Sequence, residues 1–92
     1  MPKLLKAAQA GTLESSDMLV AIAPAPEGAG VTVQLASPTL QQYGGHMKEV
    51  ILAVLKECGV SDATVDANDK GAVDFVIEAR VKTAVLRAAE AS

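Results

Sequence analysis

The sequence predicts an α+β domain in which a four-stranded antiparallel sheet carries two helices on one face, with the element order ββαββα. Three observations favour this class: short segments in which apolar residues alternate, one longer segment with an apolar stripe at helical spacing, and turns rich in glycine and proline between them. The chain of 92 residues has the length of one small domain, so we interpret residues 1–92 as a single unit.

The first half of the chain contains two segments with strand patterns. Residues 1–16 show no sustained period, and we interpret them as a flexible arm that ends in a loop. Residues 17–23 place apolar side chains on both faces, and residues 31–35 alternate valine and leucine with polar side chains, so both segments are predicted strands. The connecting residues 24–30 contain two prolines and two glycines, which favours an antiparallel hairpin.

A single apolar stripe predicts the first helix. The stripe repeats the i, i+3, i+4 spacing of one helix face and consists of Met47, Val50, Ile51, Val54, Leu55 and Cys58. Before it, Ser37-Pro38 is typical of an N-cap followed by proline at the first helical position. Gly44 and Gly45 weaken the first turns, and Gly59 ends the helix.

The last third of the chain allows two interpretations. In the first, residues 63–67 form a third strand, residues 68–71 (NDKG) form a turn, residues 73–77 form a fourth strand, and a helix follows over 81–88. In the second, residues 72–89 form one long helix, because their apolar residues also fit a period of 3.6, and the order becomes ββαβα. We favour the first interpretation because of its turn.

Composition excludes several classes of function. The net charge is −3 and the basic residues are scattered singly, so we expect no nucleic-acid binding. No apolar run approaches the ~18 residues of a membrane span, and the N-terminus lacks the apolar core of a signal peptide. The single cysteine cannot form an internal disulfide, so we expect a cytoplasmic protein without a membrane partner.

The side chains that could support catalysis or metal binding are few. Ser15, the single histidine His46 and Asp69 could be arranged as a triad on paper, but a surface histidine explains His46 more simply. One cysteine and one histidine provide no pair of zinc ligands, and Cys58 lies on the apolar stripe. Asp66, Asp69 and Asp74 are explained as polar edges of the predicted hairpin. We therefore predict no catalytic residue, no metal site and no enzyme.

Two adjacent serines, Ser15 and Ser16, lie between Glu14 and Asp17 in the predicted loop. No neighbouring base could activate either hydroxyl as a nucleophile. An exposed serine can cap a turn, or it can accept a group that another enzyme attaches. Both interpretations remain open from the residues alone.

Three segments resemble the acyl carrier protein of citrate lyase, its gamma subunit. They are AGTLES at residues 10–15 with Asp17, IAP at 22–24, and DKGA at 69–72 with Asp74, Ala79 and Arg80. The resemblance implies that Ser15 carries phosphoribosyl-dephospho-CoA through a phosphodiester. The family usually has glycine where this chain has Ser16, which leaves a second hydroxyl beside the first.

The resemblance also implies the partners. These are the citrate lyase alpha subunit, which exchanges acetyl for citryl on the carrier, the beta subunit, which releases oxaloacetate, a prosthetic-group transferase and an acetylating ligase. In this interpretation the chain is a non-catalytic carrier, because the reactive thiol belongs to the attached group. Two alternatives remain: a malonate decarboxylase carrier subunit, whose segments fit less well, and an unmodified interaction module.

Overall fold

A computed structural model describes residues 3–90, in which four strands form one sheet and two helices cover one face of it. The strands are β1 (Ala8–Ala10), β2 (Met18–Pro24), β3 (Val31–Ala36) and β4 (Ala63–Asp69), and the helices are α1 (Leu40–Glu57) and α2 (Asp74–Ala89). The strand order across the sheet is β1-β2-β4-β3. The predicted α+β class, with four strands and two helices, is confirmed.

The sheet is mixed, whereas the sequence analysis predicted an antiparallel one. β2 pairs antiparallel with β1 and β4, but β3 pairs parallel with β4. The predicted hairpin between β2 and β3 is therefore wrong, because β4 lies between them. Helix α1 returns the chain to the end where β3 began, so β4 must run in the same direction as β3.

Burial along the strands explains which of them are central. The inward side chains of β2 and β4 are fully or almost fully buried: Met18, Val20, Ile22, Ala63, Val65 and Ala67. The inward side chains of β3 are only half-buried, as expected for an edge strand. α2 packs on β1 and β2, α1 packs on β3, and the two helices contact each other.

The C-terminal segment is one helix, so the predicted fourth strand over residues 73–77 is wrong and the alternative of a long C-terminal helix is confirmed. Residues 68–69, predicted as part of a turn, extend β4 instead. The helical period prevails because it buries one complete side of α2, formed by Ile77, Val81, Ala84, Val85 and Ala88. A strand over 73–77 would have removed Ile77, which is fully buried, from this side of the helix.

The fourth strand is β1, within the segment predicted as an arm. Three residues are too short to show a period, and Ala8–Ala10 form a strand only because they pair with Val20–Ile22 of β2. Tertiary pairing therefore supplies the signal that the local sequence lacks.

Helix α1 begins earlier than its apolar stripe and passes through Gly44 and Gly45 without interruption. Gly44 is buried, and a Cβ there would lie 2.8 Å from Leu40 Cδ1, so its lack of a side chain admits Leu40. The N-cap is Thr39 and not Ser37, although Ser37 Oγ accepts a hydrogen bond from the Thr39 amide. Neither helix within residues 3–90 is long and apolar enough to cross a membrane.

Candidate attachment site

Ser15 and Ser16 lie in the loop of residues 11–17, which connects β1 to β2. The Asp17 amide donates to the Glu14 carbonyl at 3.2 Å and closes a turn around the two serines. Both serines are exposed. No hydrogen bond involving either hydroxyl forms within residues 3–90. The hydroxyls are therefore not used to hold the chain, which removes the structural-cap interpretation of Ser15.

The carboxylate of Asp17 organises the loop from within. Its Oδ2 accepts hydrogen bonds from the Thr12 amide at 3.1 Å and the Thr12 hydroxyl at 2.8 Å. The Thr12 hydroxyl oxygen in turn accepts from the Glu14 amide at 3.1 Å. These bonds join the two ends of the loop, so the serines are presented on a closed turn.

Arg80 of α2 holds the same carboxylate from outside the loop. Its Nε donates to Asp17 Oδ1 at 2.8 Å and its Nη2 donates to Oδ2 at 3.2 Å, a two-pronged geometry that favours a fixed orientation. The Asp17 side chain is only 13% exposed in this ion pair. The hydrogen bonds from Arg80 and Thr12 hold the pKa of Asp17 well below its usual range, so its carboxylate stays charged and is neutralised by Arg80.

The segment between β4 and α2 supports the loop on its other side. The Ser16 amide donates to the Lys70 carbonyl at 2.8 Å, and the Lys70 amide donates to the Asp17 carbonyl at 2.9 Å. These two bonds continue the antiparallel pairing of β2 with β4 beyond the sheet. The DKGA segment therefore lies directly beside the serines.

Backbone conformation explains two small residues of the loop. Ser16 has φ +67°, in the left-handed region that glycine adopts most easily, so a glycine would occupy this position with less strain than serine. Gly11 has φ +91°, and a Cβ there would lie 1.8 Å from the Met18 carbonyl oxygen. A side chain at residue 11 would thus collide with β2.

The other candidate residues of the sequence analysis do not assemble into a catalytic site. His46 Nε2 lies 2.7 Å from Asp74 Oδ2 in an exposed pair between the second turn of α1 and the first residue of α2. Asp69 is buried and accepts hydrogen bonds from the Ser37 hydroxyl and the Ala72 amide. Asp66 is exposed on the opposite face of β4. The triad of Ser15, His46 and Asp69 that the sequence allowed is therefore not formed, because His46 and Asp69 are each bonded to other residues.

No metal centre is formed by the described part of the chain. No group of three histidine, cysteine, aspartate or glutamate side chains is placed to hold a metal ion within residues 3–90. Cys58 is half-buried at the C-terminal end of α1 and packs against the core.

Comparisons with known proteins identify the family of the chain. The family model described as malonate decarboxylase delta subunit (MdcD) matches residues 5–88. The citrate lyase acyl carrier protein of Pectobacterium atrosepticum is 48% identical over 88 residues, covering 96% of this chain and 90% of that protein. The chain belongs to the citrate lyase acyl carrier protein family. The protein of the same name from Lacticaseibacillus casei is 47% identical over 83 residues, covering 90% of this chain and 80% of that protein.

A solved structure has the same fold as this chain. A chain in the crystal structure of a Pseudomonas malonate decarboxylase hetero-tetramer in complex with malonate superposes with a TM-score of 0.63, covering 91% of this chain and 84% of that chain. At 21% sequence identity, this likeness concerns the fold alone.

Asp17 and Arg80 belong to the segments that carry the resemblance, but nothing in the sequence predicts their ion pair. The two residues are 63 positions apart, and no local pattern links them. The position of Lys70 beside Ser16 was also missed, because residues 68–71 were interpreted as a hairpin turn. A signal was available in the alternative of one helix over residues 72–89, which leaves only residues 68–71 to connect that helix to the preceding strand.

Proposed function

We propose that this chain is the acyl carrier subunit of a citrate lyase and that Ser15 is the residue to which its prosthetic group is attached. The observation that carries the proposal is the exposed Ser15 hydroxyl, without a hydrogen-bond partner in residues 3–90, on a loop tied at both ends. Attachment requires a hydroxyl that is free and accessible, and Ser15 meets both conditions.

The residues around Ser15 fit a phosphodiester-linked group such as phosphoribosyl-dephospho-CoA. When bound, this group would supply the thiol that carries acetyl and citryl units as thioesters. The loop contributes a fixed point of attachment, since Asp17, Thr12 and Ser16 are held by hydrogen bonds. Cys58 has no role in acyl transfer, because it packs against the core.

We propose that a shorter part of segment 1–16 is flexible than the sequence predicted. Hydrogen bonds hold Thr12, Glu14, Ser16 and Asp17, so movement in the loop is restricted to Leu13 and Ser15. Leu13 is exposed at 54%, so no buried side chain holds the tip. Such a tip can enter the active site of a modifying enzyme while the sheet remains unchanged.

The chain acts as a non-catalytic subunit in this proposal. A transferase supplies the base that activates the Ser15 hydroxyl, since His46 is engaged with Asp74. A ligase acetylates the carrier, and the alpha and beta subunits perform the exchange and the cleavage, in the cytoplasm. Tethering raises the effective concentration of substrate at each of these active sites.

Mass spectrometry of the chain purified from its native host tests the proposal. We expect one covalent adduct, which peptide mapping locates on Ser15. Ser15→Ala should abolish the adduct, whereas Ser16→Ala, the matched control, should retain it. An adduct lost in Ser16→Ala and kept in Ser15→Ala would move the site to Ser16, and an unmodified chain from an active complex would leave the interaction-module alternative.

A malonate decarboxylase carrier subunit is the second candidate, favoured by the family model that matches residues 5–88. The two functions differ in the substrate that the assembled enzyme converts with the help of this chain. We expect the modified chain, combined with citrate lyase alpha and beta subunits, to restore oxaloacetate formation from citrate. Restoration of malonate decarboxylation instead, by the remaining subunits of that enzyme, would favour the second candidate.

A further inference from the structure

Lys70 occupies a special position beside the attachment loop. Its carbonyl and amide pair with Ser16 and Asp17, so its backbone lies next to the two serines. The Lys70 side chain is exposed, and within residues 3–90 its ammonium group forms no ion pair with a carboxylate. Segments 11–17 and 69–74 contain no other lysine or arginine.

The negative charges near Ser15 would be balanced by the ammonium group of Lys70. Asp17 is neutralised by Arg80, and Asp74 is paired with His46. Glu14 is exposed beside Ser15 and brings a negative charge to the loop. A phosphodiester on Ser15 would add another negative charge, and Lys70 is the adjacent cation that is not engaged.

We propose that Lys70 pairs with the phosphodiester on Ser15 and thereby orients the start of the attached group. This inference rests on the proposed function, because it requires a phosphodiester at Ser15. Neighbouring strands lie about 5 Å apart, a separation that the four-carbon stem of lysine can span. A rotatable ammonium suits a phosphate on a moving loop tip, because it binds as a point charge without requiring a fixed planar geometry.

Competitive acetylation of lysines tests the pairing without measuring activity. The chain carrying its group, purified from the native host, and the unmodified recombinant chain are each treated with a trace of acetic anhydride and mapped by mass spectrometry. We expect Lys70 to react several-fold more slowly in the modified chain, with the difference decreasing at high salt. Lys48, which is exposed on α1, is the internal control and should react equally in both.

Variants measure whether the charge at residue 70 also speeds attachment, and the acetylation result decides whether that effect arises from pairing with the group or from contact with the transferase. Lys70→Gln should slow attachment several-fold at low salt, Lys70→Arg should restore most of the rate, and Lys48→Gln should leave it unchanged. The backbone bonds of residue 70 do not use its side chain, so all three variants retain the loop.

The outcomes distinguish this inference from the function on which it rests. If Ser15 carries the adduct but Lys70 reacts equally in both forms, the pairing is wrong and the proposed function stands. That result together with slower attachment in Lys70→Gln would mean that Lys70 contacts the transferase, which also overturns the pairing. Absence of any adduct on Ser15 would overturn both proposals.

Discussion

The close approach of Gly11 to β2 allows a quantitative test of the attachment loop. A Cβ at residue 11 would lie 1.8 Å from the Met18 oxygen and 3.1 Å from Arg80 Cδ. The Met18 side chain is fully buried and the Met18 backbone belongs to the sheet. Met18 therefore cannot move away from a new side chain at residue 11 without disturbing the core. Gly11→Ala therefore adds this clash to a left-handed strain of about 1–2 kcal/mol, and we expect a total loss of about 3 kcal/mol in the free energy of unfolding.

Gly28→Ala is the matched control for that variant. Gly28 has φ +87°, close to the φ of Gly11, but a Cβ at residue 28 would meet no atom within 4 Å beyond its chain neighbours. Gly28→Ala should therefore lower the free energy of unfolding only by the cost of left-handed strain, about 1–2 kcal/mol. Urea unfolding followed by circular dichroism measures both losses. Attachment to Ser15 should slow in Gly11→Ala alone, and losses that agree within about 0.5 kcal/mol would refute the predicted clash.

Four further predictions concern the same loop and the cysteine. Ser16→Val should cost about 1 kcal/mol more than Ser15→Val, because a β-branched residue fits the left-handed region poorly; equal losses in urea unfolding would contradict φ +67° at Ser16. Amide hydrogen exchange should be fast at Leu13 and Ser15 and much slower at Ser16, whose amide is bonded to a carbonyl; uniform exchange across the loop would contradict the tied base. Because the pKa of Asp17 is depressed in the folded state, the stability that Asp17 contributes is present above about pH 4 and decreases as the pH falls below that value. Arg80→Gln should weaken this acid dependence of thermal unfolding. An unchanged pH profile in Arg80→Gln would argue against the ion pair. Cys58→Ala should cost about 1–2 kcal/mol through lost packing and leave acetylation of the modified chain intact; loss of acetylation with the fold preserved would give Cys58 a role in transfer.

The candidate site was predictable from the sequence only as a motif. Ser15 could be named from the resemblance of AGTLES to a known family, and its exposure followed from the polar loop around it. The reason that Asp17 and Arg80 belong to the same motif could not be seen, since the ion pair joins residues 63 positions apart. The left-handed backbone of Ser16 likewise became visible only in the structure, because no local pattern in the sequence requires φ +67° at that residue.

The sequence by itself determined the elements whose side chains repeat over many residues. The apolar stripe of α1 and the alternation in β2, β3 and β4 are local periodicities, and each is imposed by the geometry of a single helix or strand. The same information determined the α+β class, because strands and helices with one apolar side must cover each other.

The tertiary structure alone decided how these elements pair and what residues 73–77 become. A strand and a helix both satisfied the local pattern there, and the choice depended on the buried side that α2 shares with β1 and β2. β1 and the parallel pairing of β3 with β4 exist only through partners distant in the chain. The local sequence does not predict which strands pair, because a backbone hydrogen bond between strands is nearly independent of the side chains that flank it.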